Sequence, residues 1–405
     1  MRVLLVTEYF PPKIYGGGEL STKNLAKKLS QSGLEVSVLT SHFEDLPILE
    51  EIDGYKIFRH LKTGNPKKIF GNIKRTMFFQ RSVRKEIKEL EEKTGKFEVI
   101  HFLNTTSIPK FKVKTKTFAT INSYTNFCPK ANLFYKEQTA CDGCNPTKFV
   151  GCITNSEFVG KTRMTPIMKY NPVFWTMLYW NYMKRRARLK NVGHYISISE
   201  FITTQLKKNG VKKISKIYNL PDLNDKGPKF EIKEKEVKVT FIGVLEKVKG
   251  VEMLVKSFRG IKGAKLLLFG DGIEKENLEK ISGKNVKFYG KVDYKYIPSI
   301  YKQSDIIVQT ALWPEPFSRI MLESAFFGKP IIATDFGGNS EGVIEGENGY
   351  LVKTEHDLRE KIQKLVDNKE LRKKFGKRSR KIYEEKFETE KLLKKIMNIY
   401  NKEQK

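Results

Sequence analysis

Acidic residues and cysteines are scarce in this chain, and long apolar runs are missing. Among 405 residues, 46 Asp and Glu stand against 76 Lys and Arg, a formal net charge of +30. The excess is spread along the chain. Residues 1–190 hold 33 Lys and Arg against 16 Asp and Glu, a net of +17, which leaves +13 for the rest. Such a surface attracts any polyanion, whether nucleic acid, anionic lipid or charged substrate, so charge alone assigns no specific nucleic-acid partner. No stretch reaches the ~18 uninterrupted apolar residues that a membrane-spanning helix needs. The nearest, Val173 to Met183, is short and is broken by Asn181. Met1-Arg2 runs straight into an apolar strand with no small-residue cleavage site after it. These absences predict a cytoplasmic protein, soluble or peripheral on the inner face of a membrane. Little Gln beside abundant Lys, Ile and Glu suits a thermophile's chain.

What the chain does have is alternation. At about 150 residues per domain its length predicts two or three domains. Strands are predicted at Val3 to Thr7, Val36 to Thr40, Tyr55 to Phe58, Val99 to Phe102 and Thr117 to Ile121, with a helix over Leu20 to Gln31 ending at Gly33. A second series is predicted to open near His194, with strands at Tyr195 to Ser199, Lys216 to Tyr218, Val237 to Ile242, Lys265 to Phe269, Val286 to Tyr289, Ile306 to Gln309 and Ile331 to Thr334. Strands alternating with helices build parallel sheets covered on both faces. The expected division is residues 1–192, residues 193–385, and a C-terminal helix over 386–405 that crosses back to the first domain.

Residues 305 to 351 are the most informative. An apolar strand leads into a loop punctuated by Pro314 and Pro316, then a helix, a second strand and a Gly337-Gly338 turn. Proline lacks an amide donor and disfavours helix in the residue before it, which keeps Glu315 off the helix. Glu323 falls about two turns inside, which at ~1.5 Å per residue is roughly 10 Å deeper. Helical side chains lean toward the N-terminus, so Glu323 points back to the loop. The first helical amides, near Phe317 and Ser318, lack intrahelical partners and suit an anion. Two carboxylates flanking an anion seat match a nucleotide sugar: sugar hydroxyls, diphosphate and ribose diol. Met321, Leu322, Ala325 and Phe326 make the helix too apolar for an exposed one.

At these residues the sequence resembles the retaining glycosyltransferases of family four, whose signature is Glu, seven residues, Glu; here it is Glu315 to Glu323, with Gly328-Lys-Pro330 and Gly337-Gly338 after it. The resemblance implies an α/β GT-B fold, two Rossmann-like domains whose parallel sheets face a cleft. It implies transfer of a hexose from a UDP- or GDP-sugar to a glycan or lipid-linked acceptor, with retention of configuration, in polysaccharide or glycan biosynthesis. Gly16-Gly17-Gly18 matches the family's first glycine motif and places the Gly17 and Gly18 amides on the diphosphate. The segment Phe241 to Gly250 matches its phosphate segment, with Lys249 as the point charge. The family's Arg is Val244 here, and Lys247 or Arg319 are the candidate substitutes. Thr120 to Pro129 resembles a stretch usually reading Thr-Leu-His-Asp; Asn122 and Ser123 replace His and Asp. Asn122 can hydrogen-bond a hydroxyl but cannot carry a proton. No Asp-x-Asp occurs, so no catalytic metal is expected. A catalytically weak nucleotide-sugar-binding subunit and a nucleotide-sugar epimerase are the alternatives within the fold.

Four cysteines fall within 25 residues: Cys128, Cys141, Cys144 and Cys152. Their spacing suits a structural zinc, with disulfides or free thiols as alternatives. Two stretches, Lys67 to Lys88 and Lys161 to Lys190, interleave basic and aromatic residues. They suit either an anionic membrane surface or ordinary packing.

Overall fold

The computed structural model describes residues 1–64, 69–103, 106, 108–110, 114–159 and 162–402. The chain forms two units, Met1–Asp222 with Thr389–Lys405, and Leu223–Glu388.

In the first unit, β1 (Arg2–Val6), β2 (Glu35–Ser41), β3 (Leu49–Ile52), β4 (Tyr55–Leu61), β5 (Val99–Phe102) and β6 (Lys116–Ile121) come first. Two short ribbons follow, β7 (Phe134–Tyr135) with β8 (Thr139–Ala140) and β9 (Phe158–Val159) with β10 (Thr162–Arg163), then β11 (His194–Ser197) and β12 (Ile214–Lys216). One eight-stranded sheet has the order β12-β11-β6-β5-β1-β2-β4-β3 and is parallel except at its β3 edge. Val3, Leu4, Leu5 and Val6 are all fully buried, as expected of a strand covered on both faces.

The second unit holds β13 (Val237–Ile242), β14 (Ala264–Phe269), β15 (Val286–Gly290), β16 (Ile306–Gln309), β17 (Ile331–Thr334) and β18 (Gly349–Val352). All are parallel, in the order β15-β14-β13-β16-β17-β18. The winding therefore reverses between β13 and β16.

The structure moves the expected domain boundary. β11 pairs with β6, and β12 with β11, so the strands predicted to open the second domain complete the first sheet. The first unit runs through Asp222, not residue 192, and the second ends at Glu388, not 385. The boundary falls just before the charged stretch around residues 225–236, which holds no strand or helix. The helix Thr389–Lys402 returns to the first unit, where Leu392, Leu393, Ile396 and Tyr400 join Val3, Leu5, Val36 and Val99 in one core. Buried among these strands, His101 pairs with Tyr400 Oη at 2.6 Å and Thr120 Oγ1 at 2.8 Å. Burial pushes its pKa down to about 3, so the ring is neutral.

Candidate functional site

Ligands of doubly wound sheets bind at the carboxyl ends of the strands where the winding reverses. In the second unit two segments leave the sheet there. The one after β13 tightens into a 3₁₀ turn, Lys247–Lys249, and ends at Gly250 with φ +65°. A β-carbon on Gly250 would lie 1.9 Å from the Thr310 carbonyl oxygen, so glycine alone lets this turn sit against the segment leaving β16. Leu312 N–H donates to the Val248 carbonyl at 2.9 Å and Thr310 Oγ1 to the Lys249 carbonyl at 3.0 Å.

That fastening brings two predicted residues together. Lys249 Nζ donates to the Glu315 carboxylate at 2.9 Å, with 23% and 14% of the two side chains exposed. The same ammonium lies 5.3 Å from the centre of the Trp313 ring. Glu315 is fixed through its backbone, whose carbonyl accepts from Gly338 N–H at 2.7 Å. Gly337 has φ +64°, and a β-carbon there would meet that carbonyl at 2.4 Å.

Glu323 sits in the second turn of the helix Arg319–Phe326 and is buried, 4% exposed. Tyr301 Oη donates to its carboxylate at 2.8 Å, Tyr294 Oη at 3.3 Å and Arg319 Nε at 3.4 Å; Arg319 Nη2 also donates to Tyr294 Oη at 2.6 Å. Burial, and then the neighbouring carboxylate, hold the Tyr301 phenol well above its ordinary pKa, so it stays a donor. Burial acting alone would lower the pKa of Arg319, but Glu323 and Tyr294 outweigh it and hold the guanidinium above its usual value. Arg319 is thus committed to Glu323 and Tyr294. Neither tyrosine was anticipated; Tyr294 opens the 3₁₀ turn Tyr294–Tyr296, and Tyr301 lies seven residues on, in the short helix Ile297–Gln303.

The donor contacts expected at Phe317 and Ser318 involve their backbone amides, not their side chains. The Phe317 side chain is buried and its ring packs 5.7 Å from that of Phe387. Ser318 Oγ caps the helix, accepting from Ile320 N–H at 3.4 Å and from Gln309 Nε2 at 3.1 Å. Both side chains serve the fold.

In the first unit the helix begins at Gly17, not Leu20, so Gly17 and Gly18 are its first two residues and not part of the preceding loop. The Glu19 carboxylate accepts from Gly16 N–H at 2.9 Å and closes the turn. A β-carbon on Gly18 would come 2.8 Å from Asn122 Nδ2. Gly18 and Asn122 line one cavity with Thr120, Tyr218 and Asn219. Asn122 is held by a bond from its Nδ2 to the Leu103 carbonyl at 3.3 Å. Glu8, just past β1, also went unforeseen: it is buried and accepts from Thr63 Oγ1 at 2.7 Å and Thr106 Oγ1 at 2.6 Å.

Cys128, Cys141, Cys144 and Cys152 are free thiols that line one small cavity with Phe127, Phe134 and Phe149. Burial, then the other three sulfurs, push Cys144 up to about 12; burial also raises Cys141. Among the described residues no group of three or more His, Cys, Asp or Glu forms a metal-holding set as it stands. The expected zinc site therefore rests on the convergence of four sulfurs on one cavity. Of the two basic aromatic stretches, Lys67, Lys68 and Lys161 lie outside the described residues. In the first stretch Phe79 is buried, whereas Arg81, Arg84, Lys85 and Lys88 are exposed.

Residues 224–382 match the family model described as glycosyl transferases group 1. The match covers most of the second unit. An uncharacterized glycosyltransferase of Methanocaldococcus jannaschii, MJ1069, is 30% identical to this chain over 256 residues, 58% of this chain and 65% of that protein. Spore coat protein SA of Bacillus subtilis is 32% identical over 188 residues, covering 40% and 48%. The chain thus spans less than two thirds of these relatives. MJ1607 of the same archaeon is 23% identical over 433 residues, 99% of this chain and 98% of that one. Among solved structures, sucrose-phosphate synthase from Thermosynechococcus elongatus superposes with a TM-score of 0.74 at 19% identity, covering 99% and 98% of the two chains. Anabaena HepE in complex with UDP-glucose gives 0.65 at 16%, covering 99% and 100%. These likenesses establish the GT-B fold.

Proposed function

We propose that the protein is a retaining hexosyltransferase that moves a sugar from a UDP- or GDP-sugar to a glycan or lipid-linked acceptor. The observation carrying this reading is the Lys249–Glu315 pair at the winding reversal, with buried Glu323 two turns farther along. In the free protein the pair is mutually neutralised. A donor diphosphate competes for the Lys249 ammonium, and each charge-assisted bond contributes about 1.5–3 kcal/mol. Glu315, freed of that bond, accepts from sugar hydroxyls. Glu323 already has three donors on a carboxylate with about four acceptor sites, so a ribose hydroxyl takes the remaining one. In the reaction the bond from the anomeric carbon to the diphosphate breaks while the acceptor oxygen bonds to that carbon on the same face. The acceptor proton passes to the departing phosphate oxygen. Lys249 and the start of the Arg319–Phe326 helix stabilise the charge that develops there.

The structural neighbour HepE was solved in complex with UDP-glucose, which supports a uridine donor. Relatives named for capsular polysaccharide biosynthesis and for poly(ribitol-phosphate) support a glycan-type acceptor. One observation favours a weaker enzyme. Val244, standing where the resemblance expects Arg, is 47% exposed and offers a phosphate no charge.

Thermal-shift titration with UDP-, GDP- and ADP-glucose tests the donor site. At least one should stabilise the wild type, Glu323→Ala should abolish the gain, and Lys249→Ala should weaken binding roughly tenfold or more. No stabilisation by any of the three, or a gain that survives Glu323→Ala, overturns the reading. Val244→Arg should raise turnover if the missing cation limits it.

A further inference from the structure

The helix Pro172–Ala187 in the first unit is apolar on two faces, and only one of them is covered. Phe174, Trp175, Leu178 and Tyr179 pack on a small satellite core of Phe149, Ile153 and Met164, beside Cys144. The opposite face carries Val173, Met177, Trp180 and Met183, exposed by 77%, 45%, 60% and 44%. Their spacing of four, three and three residues keeps them on one stripe. The short helix before it, Pro166–Tyr170, adds Ile167 at 78% and Tyr170 at 68% exposure. Of the fifteen large apolar or aromatic side chains left exposed among the described residues, these two adjoining helices hold six. A helix apolar all round is normally buried, so this stripe calls for a partner.

Charge selects the partner. From Phe158 to Ser199 the sequence has eight Lys and Arg and no Asp or Glu. Lys184 Nζ lies over the Trp180 ring at 4.8 Å from its centre, a cation paired with the largest exposed aromatic. Arg186 and Lys190 are exposed just beyond. No helix among the described residues is long and apolar enough to cross a membrane. Aromatic and aliphatic side chains on one stripe, bordered only by cations, are the chemistry of a helix lying in the headgroup boundary of an anionic bilayer. A second copy of this chain would bring the same cations against these and meet repulsion.

We propose that Pro166–Ala187 docks the first unit on an anionic phospholipid surface, with Val173, Met177 and Trp180 in the acyl boundary and Lys184 and Arg186 at the headgroups. The satellite core beneath the helix holds the stripe outward, so docking needs no unfolding. This proposal does not depend on the donor reading.

Flotation of the full chain with phosphatidylglycerol–phosphatidylcholine vesicles tests it. The protein should float with these vesicles and not with phosphatidylcholine alone. Trp180→Glu should cut the partition roughly tenfold or more, and Lys184→Gln roughly fivefold. Val173→Ser with Met177→Gln, outward changes that leave the satellite core intact, should weaken floating while the unfolding midpoint stays unchanged. Lipids brominated near the headgroup should quench wild-type emission more than that of Trp180→Phe. Absence of floating, or floating indifferent to Trp180→Glu and to the double variant, overturns the proposal. So does a lipid-free dimer in sedimentation that Trp180→Glu dissociates, because the stripe would then be covered by a second chain.

Discussion

Replacing Tyr301 with Phe deletes one oxygen from a fully buried position and keeps the ring. That ring stacks on Phe327 at 5.1 Å with an 8° interplanar angle, so packing is preserved. What is lost is the 2.8 Å bond to Glu323. A hydrogen bond to a charged group contributes about 1.5–3 kcal/mol, and losing it leaves the carboxylate on Tyr294 and Arg319 alone. For a domain of roughly 150–250 residues each kcal/mol moves the midpoint by about 2–4 °C, so calorimetry should show a fall of roughly 3–12 °C. Glu323→Gln should cost a comparable amount, and the double variant less than the sum, with a coupling of about 1 kcal/mol or more. Donor-induced stabilisation should also shrink in Tyr301→Phe, because the carboxylate loses the contact that orients it. A midpoint indistinguishable from wild type, with strictly additive variants, would refute the view that Tyr301 holds Glu323 in place.

Two further outcomes follow from buried groups in the first unit. His101 has a folded-state pKa of about 3 against an ordinary value of 6.5, so the unfolded chain binds the extra proton. Stability should be full above pH 6.5 and should fall through that value toward pH 3 by about 1.4 kcal/mol per pH unit. Urea midpoints between neutral pH and pH 4 measure the slope, and His101→Gln should flatten it. Elemental analysis of protein purified without chelator should find about one zinc per chain, lost in Cys144→Ser. Metal-free protein with four titratable thiols would remove the tetrathiolate reading.

The chain's fold was legible where strands are buried on both faces. Ile306–Val308 is a continuous apolar run and Val237–Ile242 is apolar at four of its six positions, and both strands were expected at the residues observed. β3 escaped notice because Leu49–Ile52 contains Glu50 and Glu51 on an exposed edge. β11 and β12 were seen but assigned to the wrong unit, since pairing with β6 leaves no trace in local composition. At the site, Lys249, Glu315 and Glu323 could be read because their motif is local. Tyr294, Tyr301 and Glu8 could not, because long-range packing gives each its role. Composition exposed the mixed aromatic and basic character of Lys161 to Lys190, but tertiary packing alone separates the face spent on Phe149 and Ile153 from the face left outside.

The return of Thr389–Lys402 has a consequence for the order of assembly. The second unit is one uninterrupted stretch, whereas the first lacks Leu392, Ile396 and Tyr400 until all of the second has been synthesised. Until then His101 has no phenol beside it, and apolar surface around β1 and β5 stays wet. On the ribosome, the unit begun first is therefore completed only after the second has been made.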